Sequence, residues 1–273
     1  MLEEKAFFMF CDAHFHLVHS GLLMDIKSEF SSACDNAVFY GCTCAHEREE
    51  YESQKKLAAE FSKELKNLRL FTSFGIHPQI PLTENASFLE ELLRRGEIDA
   101  VGEAGFDLYT PEFKKTILEQ EDAWRAQVEL AAQYNKPIVV HCRKALHLIF
   151  RDSALLRKVC AVVFHSFCGG MHEAEGILGK GINAYFSFGK QILNGNKKSI
   201  ECVRFLPSER LLLETDAPFQ TLKNENMTSP LEIRRVYQAA LEIRRRENPL
   251  LSMDELQRAL SCNFLRVFDR VEK

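Results

Sequence analysis

Residues 121–142, "EDAWRAQVELAAQYNKPIVVHC", hold one complete repeat of the chain's organisation. Through Gln133 the apolar and polar residues follow helical spacing, and Asn135-Lys136-Pro137 then stops that pattern. A short apolar run, "PIVV", follows immediately and ends on His141. A helix feeding directly into a fully apolar strand is the unit from which parallel sheets are built.

The same unit recurs in both directions along the chain. Apolar runs appear as "FFMFCD" (7–12), "NAVFYGC" (36–42), "RLFTSFGI" (69–76), "DAVGEAG" (99–105), "AVVFHSF" (161–167), "INAYFSFG" (182–189) and "RLLLETD" (210–216). Between them lie amphipathic stretches such as 48–65, 86–95 and 144–159. About eight βα repeats in 273 residues predict a single (β/α)8 barrel of the TIM type, one domain over residues 1–273. The runs are near-continuous rather than alternating, as strands covered by helices require, and no G-x-G-x-x-G follows the first strand. The even repetition and the missing fingerprint argue against an open dinucleotide-binding sheet. Residues 217–230, "APFQTLKNENMTSP", form a long polar loop after the last strand, where barrels place their active-site loops.

Composition narrows the setting. The chain is 46% hydrophobic and 27% charged, with a formal net charge of −4, so bulk charge offers no attraction to nucleic acid and any phosphate must be held by local cations. No apolar run reaches membrane-spanning length and the first ten residues do not resemble a secretory signal, which predicts a cytoplasmic protein with no membrane contact. Nine cysteines, at 11, 34, 42, 44, 142, 160, 168, 202 and 262, read as reduced core thiols, and "CTCAHE" (42–47) as a strand end rather than a metal knuckle. The basic run Arg244-Arg245-Arg246 lies off the apolar stripe Leu231, Val236, Ala240 and Ile243, as a solvated helix face would.

Chemistry gathers at the strand ends. His14 and His16, two residues apart, point the same way and can converge on one cation. Glu103, His141, His165 and Asp216 close four later runs, so in a barrel all six share one rim. So many ionisable groups in one mouth need a partner, and two divalent cations satisfy them. His14, His16 and Asp216 would hold one ion, His141 and His165 the other, with Glu103 bridging. Zinc, manganese or iron suits such a donor set better than calcium, and magnesium less well. His77 either contacts substrate or makes structural hydrogen bonds; Asp107 either orients a ligand or caps the following loop. His19, His46, His147 and His172 read as surface or packing residues.

"CDAHFHL" (11–17), "FGIHPQ" (74–79), "VGEAGFDLY" (101–109), "KPIVVHCRKA" (136–145), "VFHSFCGG" (163–170), "YFSFG" (185–189) and "LLLETDAPF" (211–219) together resemble the TatD-related metal-dependent deoxyribonucleases, with a weaker echo in "LSCNFLRVF" (260–268). The resemblance implies metal ligands at His14, His16, Glu103, His141, His165 and Asp216. It also implies cleavage of DNA phosphodiesters, from single strands or DNA ends and often from the 3′ side. Asp216 would then take the proton of the attacking water and Glu103 support the reaction as the bridge, while His77 and Arg143 bind substrate. Two departures bear on the substrate. Lys144 follows Arg143 where the family usually has aspartate, and the loop after Asp216 carries only Lys223 and a partial Asn224-Glu225 match to the family's basic stretch. Cleavage of DNA predicts that Arg143, Lys144, Lys190 and Lys223 surround the mouth. The alternatives are a two-metal hydrolase of another ester, lactone or amide, and a binding protein without catalysis, against which the full ligand set argues.

Overall fold

The computed structural model describes residues 8–18 and 37–269; the expectations for His19 and Cys34 lie outside them. Eight strands form one sheet in sequence order, every pair parallel: β1 (Phe8–Phe15), β2 (Ala37–Ala45), β3 (Leu68–Phe74), β4 (Ala100–Asp107), β5 (Ile138–Arg143), β6 (Val162–Phe164), β7 (Ala184–Phe188) and β8 (Leu211–Leu213). The expected (β/α)8 architecture is therefore the observed one. Of the intervening helices, α1 (Arg48–Glu64), α2 (Ala86–Arg95) and α3 (Ile117–Gln133) cover β2 to β5, and α4 (Met253–Phe268) packs back on β1 and β8. After α3 the chain turns at Asn135, whose φ of 52° is left-handed, and Pro137 accepts a hydrogen bond from Val101 N–H as β5 begins.

Strand burial explains the unbroken apolar runs. All eight residues of β4 and all of β7 are buried, because one face meets the helices and the other fills the barrel. The interior carries Cys11, Ala13, Cys42, Phe71, Val139, Val163, Tyr185 and Leu212, and Phe264 and Phe268 of α4 pack into the same cluster. This interior cluster is separate from the larger one between sheet and helices, which includes Phe15, Phe39, Phe74, Trp124 and Phe186.

The ring closes at the mouth. Between the ends of β1 and β8, Asp216 N–H donates to His14 O at 2.9 Å and His16 N–H to Ala217 O at 2.8 Å. Beneath them Asp12, fully buried, accepts from Thr215 N–H at 3.0 Å and from the Thr215 hydroxyl at 2.6 Å. This seam joins the first strand of the chain to the last.

The thiols are more varied than expected. Among the described residues all are free; Cys11, Cys42, Cys44, Cys142 and Cys202 are buried, but Cys160 is only half-buried and Cys168 and Cys262 are exposed. The last three follow a helix end, a strand-end loop and a helix face, where no apolar layer covers them.

Candidate metal centre

Two bulges aim the site's side chains. In β1 the pairing moves from Asp12↔Gly41 to Phe15↔Thr43, so β1 carries one extra residue. Before it, Cys11 and Ala13 face the barrel interior; after it, Phe15 and Leu17 join the outer core. His14 and His16 are thereby turned into the mouth, their rings 5.0 Å apart. In β4 the register moves from Val101↔Ile138 to Ala104↔Val140, and Glu103 is the residue turned inward. Gly105, at φ 145°, permits this approach: a Cβ there would lie 2.0 Å from His141 O.

Glu103 is the hub. Its Oε1 lies 2.6 Å from His141 Nδ1, 2.6 Å from His165 Nε2 and 3.3 Å from His77 Nε2. Its Oε2 lies 3.2 Å from His14 Nε2, 3.6 Å from His46 Nε2 and 3.9 Å from His16 Nε2. Asp216 Oδ1 stands 3.7 Å from the Nε2 atoms of both His14 and His16. Thus all six expected ligands meet at one end of the barrel, and His16, Glu103, His141, His165 and Asp216 line a cavity of about 650 Å³ rimmed by Ile80, Leu82 and Phe219, with His14 buried behind it.

A further set of carboxylates and amides supports these residues. Asp107 does both things expected of it: Oδ2 faces His141 Nε2 at 3.1 Å and takes a hydrogen bond from Gln79 at 2.8 Å, while Oδ1 caps Tyr109 N–H at 2.9 Å. Glu214, fully buried, accepts from Ser166 N–H and hydroxyl at 2.7 Å and stands 3.7 Å from His165 Nδ1. Gln220 reaches both Glu214 and Asp216 at 3.3 Å.

The charges follow from this crowding. Burial drives the Glu103 carboxyl up, but His165, His77 and His14 outweigh it and hold Glu103 well below the usual carboxylate range. Burial likewise opposes ionisation of Asp216, and His16, His165 and His14 bring its pKa down. For His165 burial favours the neutral ring, yet Glu103 and Glu214 raise it well above its ordinary value. Burial lowers His77 to about 4, leaving a neutral imidazole.

His14 supplies the test of whether cations fit. Its ring is fully buried, neither nitrogen makes a hydrogen bond among the described residues, and Nε2 faces the carboxylates of Glu103 and Asp216. A buried imidazole left in this way is costly unless a Lewis acid takes its lone pair. Groups His14-His16-Asp216, His14-Glu103-His165, His16-His46-Glu103 and His77-Glu103-His141 each place donor atoms within 4.8 Å of one another, a spacing that can hold a metal ion.

Three expectations need correction. His46, read as a surface or packing residue, sits in the mouth, with Nε2 near Glu103 and Nδ1 3.3 Å from Gly75 O. Its signal was available, since it directly follows the strand "AVFYGCTCA" (37–45) as His16 follows β1 and His165 follows β6. Lys190, expected at the mouth, is 1% exposed and neutralised by Glu225 at 2.6 Å and Glu232 at 3.4 Å. Lys223 is exposed on its loop and does not line the cavity. Arg143 does line it, next to Asp107 at 3.5 Å. His77 stands near Glu103 and also accepts Gln79 N–H at 3.2 Å, so neither reading of it is eliminated. His147 and His172 are exposed, as expected.

A parallel (β/α)8 barrel with histidines and carboxylates converging at the carboxyl ends of its strands defines the class of protein. Within that class, the TatD related DNase family profile matches residues 11–269, and the chain belongs to that family. Among relatives, it is 32% identical over 159 residues to the uncharacterized metal-dependent hydrolase YabD of Bacillus subtilis, covering 56% of this chain and 60% of YabD. It is 38% identical over 154 residues to the 3′-5′ ssDNA/RNA exonuclease TatD of Edwardsiella piscicida, covering 53% of this chain and 56% of that protein. The matches thus span about 60% or less of these curated relatives. The crystal structure of the TatD homologue YjjV from Escherichia coli superposes with a TM-score of 0.78 over 96% of this chain and 98% of that one, at 24% identity, and confirms the fold.

Proposed function

We propose that this chain is a single-domain, two-metal phosphodiesterase that cleaves DNA, from single strands or ends and in the 3′ to 5′ direction. The observation that carries the reading is the division of labour on Glu103, one oxygen toward His77, His141 and His165 and the other toward His14, His16 and His46. His14, His16 and Asp216 would hold one ion, His141 and His165 the other, with Glu103 shared between them. When bound, two divalent cations, zinc, manganese or magnesium, supply Lewis-acid neutralisation of the phosphate and make water acidic enough to attack near neutral pH.

The chain's own residues do the rest. Asp216, ionised and oriented by Gln220, takes a proton from the attacking water on its carboxylate. The new P–O bond forms as the bond to the leaving oxygen breaks, and Asp216 returns the proton to that oxygen, so the net change is addition of one water. Asp107 and Glu214 keep His141 and His165 turned toward Glu103. Arg143, at the rim, steadies a non-bridging or terminal oxygen of one of the substrate's phosphates. The printed activity of the Edwardsiella relative supports nucleic acid as substrate, and free thiols fit a cytoplasmic setting. No helix among the described residues is long and apolar enough to cross a membrane.

The test is to reconstitute the protein with each metal and follow end-labelled single-stranded DNA beside aminoacyl and amide esters. Loss of label from the 3′ end, with close to two ions per chain by elemental analysis, is the expected result. Activity at a metal content near zero would remove the metal centre from the mechanism, and cleavage of the esters alone would remove DNA. His46→Ala is expected to lower DNA cleavage by about 10- to 100-fold and to loosen one ion, as the loss of a group beside a ligand does. Unchanged turnover and metal retention would return His46 to the packing role read from the sequence.

A further inference from the structure

Beside the mouth lies a second cavity of about 470 Å³, lined by Tyr109, Arg143, Lys144, Leu146, His147 and Cys168. It shares Arg143 and Cys168 with the cavity of the metal centre, so the two spaces adjoin. Its chemistry is the reverse of its neighbour's, because no carboxylate lines it while two permanent cations do. Both cations rest on one ring. Arg143 Cζ lies 4.1 Å and Lys144 Nζ 4.6 Å from the Tyr109 centroid, and that ring is itself 52% exposed. Lys144 takes a left-handed backbone conformation, φ 56°, just after β5, a sparsely populated region for a residue that is not glycine. A cation held against an aromatic face keeps its N–H donors available while losing side-chain freedom in advance. Arg143 is also tethered by Asp107, which in turn faces His141.

We infer that Arg143 and Lys144, parked on Tyr109, form a second phosphate subsite that grips the oligonucleotide one phosphate away from the scissile one. The inference rests on the phosphodiesterase reading and adds a preference: this chain acts best on substrates carrying at least two phosphates. Two cations in a cavity that no carboxylate lines select an anion, and adjacency to the metal centre makes a neighbouring phosphate of the same strand the occupant. Neither Lys190, locked by Glu225 and Glu232, nor the exposed Lys223 lines either cavity.

The experiment compares the dithymidine substrate TpT, with one phosphate, and TpTpT, with two, on the metal-reconstituted protein and on Lys144→Gln, Lys144→Arg and Tyr109→Ala. The native protein should prefer TpTpT by about tenfold or more in kcat/KM, chiefly through KM; Lys144→Gln and Tyr109→Ala should collapse that ratio toward one, and Lys144→Arg should restore it. Equal ratios in native and Lys144→Gln proteins would overturn the subsite while leaving the phosphodiesterase reading intact. If no phosphodiester is cleaved, that reading fails, and the subsite is judged by fluorescence anisotropy of labelled oligothymidylate in EDTA. There Lys144→Gln should weaken binding and reduce the salt slope by about 0.7, the value for one lost contact to a single strand. An unchanged slope, or oligothymidylate binding no tighter than orthophosphate competing for the same site, overturns the subsite in that case.

Discussion

With two cations bound as proposed, Glu103→Gln is expected to abolish nearly all turnover, by about 10³-fold, and to lower metal content for both ions together. The amide keeps the size of the carboxyl group but removes the charge that separates two cations, and at a few ångströms in a low-dielectric mouth their repulsion is no longer screened. It also turns one oxygen into an N–H₂ donor, which presents hydrogens to whichever imidazole set that edge faces. His77→Ala should cost less, because His77 contacts one oxygen of Glu103 at 3.3 Å and the bridge survives its loss. Kinetics and elemental analysis on both variants, with melting curves to confirm folding, decide the point. Equal losses in the two would mean that the bridge lies elsewhere.

Asp216→Asn is expected to lower kcat by at least about 10²-fold with a far smaller change in KM, the pattern of a group that acts on the proton in the transition state. Asparagine retains an oxygen that can face His14 and His16, so metal content should fall only in part. Near-normal turnover at neutral pH would give the proton to another group, and His77, neutral with a pKa near 4, is the first candidate. If activity and metal are lost together and both return at high metal concentration, Asp216 is a ligand without a role in proton transfer, and the site survives without this mechanism.

The barrel and the six clustered residues were legible because each depends on a local pattern. Apolar strands bounded by helices state their own period, and a polar donor at the end of such a strand is visible without knowing where the strand goes. The bulges were not legible. Alternation along "FCDAHF" (10–15) puts Ala13 and His14 on opposite faces, whereas the extra residue of β1 lets both serve the barrel interior. Lys190 shows the same limit in electrostatics: its partners Glu225 and Glu232 are 35 and 42 residues away, and no spacing rule brings them together. His46 was missed for another reason. Like His19, His147 and His172 it stands in loop or helix text with no partner near it in sequence, and the fold supplies one in Glu103, whose Oε2 lies 3.6 Å from His46 Nε2. Glu214 looked like part of a strand end, and only the fold shows its carboxylate beneath His165.

The seam between β1 and β8 also governs when function can begin. His14 and Asp216 are joined through a backbone hydrogen bond across 202 residues of sequence, and Asp12 binds Thr215 across 203. These are among the most non-local contacts the topology allows, and such contacts form only after the intervening loop entropy has been overcome. A chain emerging from synthesis therefore carries its first histidines long before it has the carboxylate they face. For the phosphodiesterase proposed above, cutting activity cannot precede ring closure, so a nascent or misfolded copy is expected to be inert toward nucleic acid, and the appearance of catalysis during refolding would report the joining of the first strand to the last.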